Sequence, residues 1–199
     1  ISVSDIMSKN NSMFVNNIFL EDERGYIFSE IFDASTCFNV NNLVKKNEDT
    51  YIPDLKHIEV FKKIMAHLEI DQRDVVQMID QIIDWIDADN RPRSSGLEDY
   101  FYTGPSNTNQ QFTDNRMFHS KDELKNIPSF RGETWANLSE YLCAYPINNF
   151  KINLNMLSKE DGILLSGLFK DLSLDDANYV LATMPDSGFK NINENYINY

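Results

Sequence analysis

The sequence is short of cysteine, histidine, glycine and positive charge, and each shortage argues against a class of chemistry. Its 199 residues include two cysteines, Cys37 and Cys143, which allow one disulfide and no more. Neither lies in a CxxC or beside a histidine cluster, so zinc and thiol redox chemistry have little support. The pair is either one bridge, as an oxidising compartment favours, or two buried thiols. The three histidines, His57, His67 and His119, are scattered, and the first two read as surface residues of one helix. GxSxG, HExxH and a phosphate-cradling glycine loop are all missing. Lysine and arginine total 18 against 31 aspartates and glutamates, a formal charge of −13, and no basic run exceeds Lys45-Lys46 or Lys62-Lys63. That balance argues against a nucleic-acid backbone or an anionic lipid surface as partner, and fits metal cations, basic partners or plain solubility. Apolar clusters are a few residues long, far below the ~20 that a membrane-spanning helix needs. The chain opens at Ile1 without initiator methionine or signal peptide, and reads as a mature or trimmed fragment.

What is present is enough apolar residue, 42%, to bury a core. Val3, Ile6, Met7, Phe14 and Ile18 recur at helical spacing, as the end of an amphipathic helix over residues 1–20. "RGYIFSEIFDASTCFNVNN" then alternates aromatic and β-branched residues, the pattern of one or two strands. From residue 54 the period is helical again. Leu55, Ile58, Phe61, Ile64, Met65 and Leu68 form one face; Asp71 can cap a second helix with Val75, Met78, Ile79, Ile82, Ile83 and Ile86 as its buried stripe. "SKDE", "SKED" and "SLDD" each put a serine three residues before a carboxylate, so short helices are expected near 121–127, 133–143, 159–169 and 174–183. Segment 103–116 is polar and turn-rich, a surface loop. "FNVNNL" at 38–43 is echoed by "INLNML" at 152–157, and these asparagines are placed to bind nearby backbone groups. Trp85 and Trp135 fall at helical positions and read as core anchors.

"DWIDADNRPRSSGLEDYFY", residues 84–102, concentrates Asp84, Asp87, Asp89, Glu98 and Asp99, relieved by Arg91 and Arg93. Calcium takes six to eight oxygens from a segment able to wrap it. As an EF-hand loop starting at Asp87 the stretch fails, with Arg91 at the fifth position and Pro92 where glycine must turn. The residues leave two readings: an irregular oxygen-rich site, or a solvated loop with weak Arg91 or Arg93 salt bridges. Two other classes compete. One is an acidic metal-dependent hydrolase using the carboxylates of 84–99, disfavoured because all belong to one short loop. The other is a helix-hairpin-helix nucleic-acid binder built on "NIPSFRGETWANLSEYL" and "LSGLFKDLSLDDANYVL", disfavoured by charge.

The ordered set "FNVNNL", "IIDWIDADN", "GLEDYFY", "FTDNRMFHSKDEL", "NIPSFRGETWANLSEYL" and "INLNML" resembles type II secretion system protein K, from about Gly25 to Lys190. The D-W-I-D-x-D block followed by G-x-E-D-x-x-Y is its specific part. The resemblance implies an α+β protein. Residues 1–45 would be a truncated pilin-like part, the end of an N-terminal helix plus short antiparallel strands. Residues 46–190 would be a large, mainly α-helical inserted domain, and 191–199 a tail, with the closing strands of a pilin body lacking from a chain that stops at Tyr199. It implies a non-enzymatic minor pseudopilin at the pseudopilus tip, with minor pseudopilins I and J as partners. The full-length form would be anchored in the inner membrane and face the periplasm, and this fragment would be a soluble periplasmic monomer. It also implies calcium bound in the helical domain. Carried over position by position, the ligands would be Asp87, Asp89, Glu98 and Asp99, with Asp89, Glu98 and Asp99 foremost. Asp84 matches too, with helix capping as its other role, and Asn90 is a further oxygen donor.

Overall fold

Aspartate side chains start both long helices. The computed structural model describes residues 18–22, 25–29, 33–107, 110–147, 150–185 and 187–189. In it Asp54 accepts from the N–H groups of Lys56 and His57 and opens α1 (Leu55–His67), and Asp71 accepts from that of Arg73 and opens α2 (Gln72–Ile86). Such caps satisfy donors that have no partner inside the helix. The expected stripe of α2 is buried in full, and Gln81, Asp84 and Trp85 are buried with it. In α1 the packed face is Ile58, Phe61, Ile64 and Met65, with Leu68 partly buried against it. Leu55, the first helical residue, lies a turn outside that face and is 73% exposed.

Short strands precede the helices. β1 (Ile18–Asp22) and β2 (Gly25–Ser29) form an antiparallel hairpin that sets Phe19 opposite Phe28 and Leu20 opposite Ile27. Ile18, expected to close a helix, instead begins a strand, in register with Ser29 of β2. The rest of that expected helix, the alternation at Glu30 and Phe32, and the tail 191–199 lie outside the described residues. β3 (Phe38–Asn39) runs parallel to β6 (Leu142–Cys143). Beside them Cys37 and Cys143 form a disulfide across 106 residues of sequence. A 3-10 turn, Val40–Leu43, then leads into the hairpin β4 (Val44–Asn47) and β5 (Thr50–Pro53).

The asparagine echo is realised as two matching clasps. Asn39 caps the first 3-10 turn, and Asn41 accepts from Phe118 N–H and donates to the carbonyls of Phe118 and Tyr145. Asn153 caps a second turn, Leu154–Met156, and Asn155 accepts from Phe189 N–H and donates to its carbonyl. Asn42 grips Phe150 in the same two-bond manner.

The later helices are shorter than their patterns. The 121–127 stretch is a 3-10 helix, Lys121–Asn126. α4 (Glu133–Leu138), after the four-residue α3 (Asp99–Tyr102), ends five residues before the expected limit of 143, because the chain must turn to join β6 and the disulfide. α5 (Gly162–Leu168) starts after Asp161, which takes the Ser158 N–H in a local turn. In "SLDD" the serine caps its helix directly: Ser173 accepts from Asp176 N–H at 3.1 Å and donates its hydroxyl to the Asp176 carboxylate at 2.6 Å, opening α6 (Leu174–Ala182). α5 lies on α1 so closely that a Cβ at Gly167 would sit 2.4 Å from Ile64 Cγ1. Lys63 fixes the following turn by donating to the carbonyls of Phe169 and Leu172. The result is an α+β architecture dominated by helix. Among the described residues no helix is long and apolar enough to cross a membrane.

Candidate metal centre

The acidic loop is held by its own carboxylates. At the end of α2, Asp80 and Asp84 lie one helical turn apart, and the loop comes back along them. Ser95 N–H donates to Asp80 Oδ2 at 3.0 Å and Arg93 N–H to Asp84 Oδ2 at 3.0 Å. Arg93 Nε stands 3.5 Å from Asp84 Oδ1, an ion pair without a hydrogen bond. Gly96 completes the approach: a Cβ there would lie 1.8 Å from Asp84 Oδ2. Further along, Asp89 takes Arg91 N–H at 2.8 Å, an aspartate turn of the kind this side chain favours. Asp99 Oδ1 accepts from both the N–H (2.7 Å) and the hydroxyl (2.8 Å) of Thr113, tying α3 to the polar loop. Below, Trp85 is edge-on to Tyr102 and stacked on Phe118, an aromatic floor for the loop.

Besides those bonds, Asp87, Glu98 and Asp89, the last already holding the Arg91 N–H, converge on one place. Each offers an oxygen, and the three lie within 4.8 Å of one another. It is the one group of three or more such side chains among the described residues. Oxygens held 2.3–2.6 Å from a single ion span about 5 Å at most, so the spacing fits. Glu98 is 1% exposed, yet neither of its carboxylate oxygens accepts a hydrogen bond from a described group; Asp87 Oδ1 is likewise unpartnered. A buried carboxylate without partners costs several kcal/mol in roughly the manner of any unpaired buried charge. The electrostatics register this. Burial first, then the charges of Asp84, Asp87, Asp89 and Asp99, push Glu98 up to about 8. Burial and Asp87 raise Asp84 to about 7 against the opposing pull of the Arg93 N–H and guanidinium, and burial with Asp89 raises Asp87 to about 6. The carbonyl end of α2 adds partial negative charge. Only oxygen donors line the cluster, which suits a hard cation such as calcium rather than zinc.

The six residues singled out from sequence thus divide. Asp87, Asp89 and Glu98 converge; Asp84 is engaged by Arg93 and Asp99 by Thr113; Asn90 is exposed next to Asp89. Asp80 escaped sequence reasoning, although its place four residues before Asp84, on the same helical face, was the available signal. Thr113 carried none, being fourteen residues from the group it binds.

Fold and site define a class: an α+β body with a disulfide-closed helical part and an acidic loop in which three carboxylates converge. The chain belongs to the family of type II secretion system protein K, whose family model, described as "Type II secretion system (T2SS), protein K", matches residues 36–147. It is 33% identical over 173 residues to type II secretion system protein K of Aeromonas hydrophila, covering 83% of this chain and 52% of that protein. It is 32% identical over 161 residues to the putative type II secretion system protein K of Escherichia coli (strain K12), covering 80% and 49%. In fold it resembles a chain of the crystal structure of the GspK-GspI-GspJ complex from the type 2 secretion system of enterotoxigenic Escherichia coli. The TM-score is 0.75 at 19% identity, over 94% of this chain and 66% of that one. The chain spans about half the length of the curated relatives it matches.

Proposed function

We propose that this chain is the periplasm-facing part of a minor pseudopilin, a non-enzymatic assembly component at the tip of the type II secretion pseudopilus, acting in the export of folded proteins. Family membership combined with likeness, over 94% of the chain, to a chain solved within a complex named for K, I and J carries this reading. Minor pseudopilins I and J are the partners it names. On this reading the pilin-like part would lie within residues 1–45 and the helical domain within 46–190, with Phe38, Val40, Leu43 and Val44 packed in one core with the helices. The bulk of the helical domain would block further subunits from adding above it. The Cys37–Cys143 bridge supports an oxidising compartment such as the periplasm; the full-length form would be anchored in the inner membrane.

Calcium is the cation we assign to the loop, with Asp87, Asp89 and Glu98 as ligands, Asn90 as a neighbouring oxygen, and Asp84 and Asp99 holding the loop around them. When bound, it supplies the positive charge that offsets these carboxylates. The support is chemical: three convergent carboxylates, one of them fully buried with both oxygens unpartnered. The function is tested by mixing this chain with the periplasmic domains of its own I and J pseudopilins and measuring mass in solution. A ternary complex is expected; a chain that elutes alone beside folded I and J would overturn the reading.

A further inference from the structure

Beyond the acidic loop the chain forms a second polar site of opposite character. A cavity of about 280 Å³ lies where α3 and the segment after it face the 121–131 stretch, and its lining includes Tyr102, Asn107, Gln111, Lys125, Asn126 and Arg131. Among the described residues no carboxylate lines it, in a molecule with 31 of them and 18 cations. Arg131 donates to the Asn126 carbonyl and pairs with no carboxylate among the described residues. Lys125 reaches Asp122 at 2.6 Å, on an exposed flank, and lies over the Trp135 ring. Tyr102, also in the lining, is 1% exposed, and its hydroxyl, within range of the charges of Asp84, Arg131 and Glu98, has no described partner. A buried hydroxyl without a partner is costly and is ordinarily matched.

We propose that this cavity is a carboxylate site, in which Arg131 supplies the charge, the Tyr102 hydroxyl donates a hydrogen bond, and the Gln111 and Asn126 side-chain amides complete the donor set. A guanidinium presents parallel N–H groups that match a planar carboxylate, and one unpaired cation with neutral donors suits a monoanion better than a phosphate. The volume is at or below the small end of ligand pockets, so it takes one side chain or a small acid rather than an extended peptide. The carboxylate comes either from a free acid or from an acidic side chain of a protein neighbour. This inference does not depend on the pseudopilin reading or on the cation.

The test is a ¹H–¹⁵N NMR titration of the chain with succinate, with a capped Gly-Glu-Gly peptide, with its glutamine counterpart, and with inorganic phosphate. Saturable shifts at the Gln111 and Asn126 side-chain amides and at Arg131 Nε–H are expected. Arg131→Gln should weaken them about tenfold or more. Tyr102→Phe should weaken them several-fold while leaving melting unchanged or raised, since it removes only the unpartnered hydroxyl and keeps the ring on Trp85. Binding of succinate alone assigns the site to a free acid, and binding of the glutamate peptide but not its glutamine counterpart assigns it to a protein side chain. Phosphate binding without carboxylate binding, no saturable shift, or shifts unaltered by Arg131→Gln would overturn the proposal.

Discussion

At the scale of the residue, Glu98 decides the behaviour of the loop. It is buried beside Asp84, Asp87 and Asp89, and nothing in the described chain neutralises it. Folding raises the pKa of Asp87, Asp84 and Glu98 to about 6, 7 and 8, so the protonated forms favour the folded state. Their stabilising contribution is full below the ordinary carboxylate range near 4 and is lost as pH rises through those values. The metal-free protein should therefore melt lower at pH 8 than at pH 5, and calcium should reduce or reverse that difference. At a hundred times its dissociation constant calcium adds about 2.7 kcal/mol, which for a chain of this size raises melting by roughly 5–10 °C. Thermal scans with chelator or calcium across this pH window check both statements. Calorimetry of the metal-stripped protein should show calcium bound in preference to magnesium, and Glu98→Gln should remove that binding while raising metal-free melting at pH 8. If Glu98→Gln binds calcium unchanged, the assigned ligand set is wrong.

At the scale of the element, side-chain amides do work that sheets and helices usually do. Asn41 replaces a missing ladder partner for Phe118, meeting both its N–H and its carbonyl from inside the core. Asn41→Ala leaves those two buried groups unsatisfied at about 1–3 kcal/mol each, and denaturant unfolding should show a loss in that combined range. An exposed asparagine such as Asn90 should tolerate the same change with little loss of stability in the metal-free protein. The helices illustrate how far periodicity reaches. α2 follows its stripe because one face packs along its whole length. α4 starts where its pattern places it and stops at Leu138, because the chain turns there to enter β6 at Leu142.

At the scale of the whole molecule, the disulfide joins the two ends of the family-matched stretch 36–147. β3 and β6 lie side by side there, so the chain leaves and returns at one place. Cross-linking so long a loop restricts the unfolded chain strongly, and replacing both cysteines by serine should cost about 2–5 kcal/mol, read from the shift in the denaturant midpoint. The surface charge sets the partners the molecule can take. At −13 it should pass through heparin at low salt, and retention there would count against an acidic assembly protein.

What the sequence determined by itself is what repeats at short range. The stripes of α1 and α2, the cap at Asp71, the asparagine echo and the acidic block are all local patterns, and local geometry enforces them. The block also marked the site region, with Asp87, Asp89 and Glu98 among six candidates. Tertiary structure alone decided how those six divide. Asp84 is engaged by Arg93 once the loop folds back on α2, and Asp99 by Thr113 once the 110s pass beneath α3. It also decided between one bridge and two thiols at Cys37 and Cys143, whose Cα atoms come to 5.7 Å only when β3 and β6 pair. Contacts of that kind join residues far apart in the chain, and no periodicity in the sequence encodes their meeting.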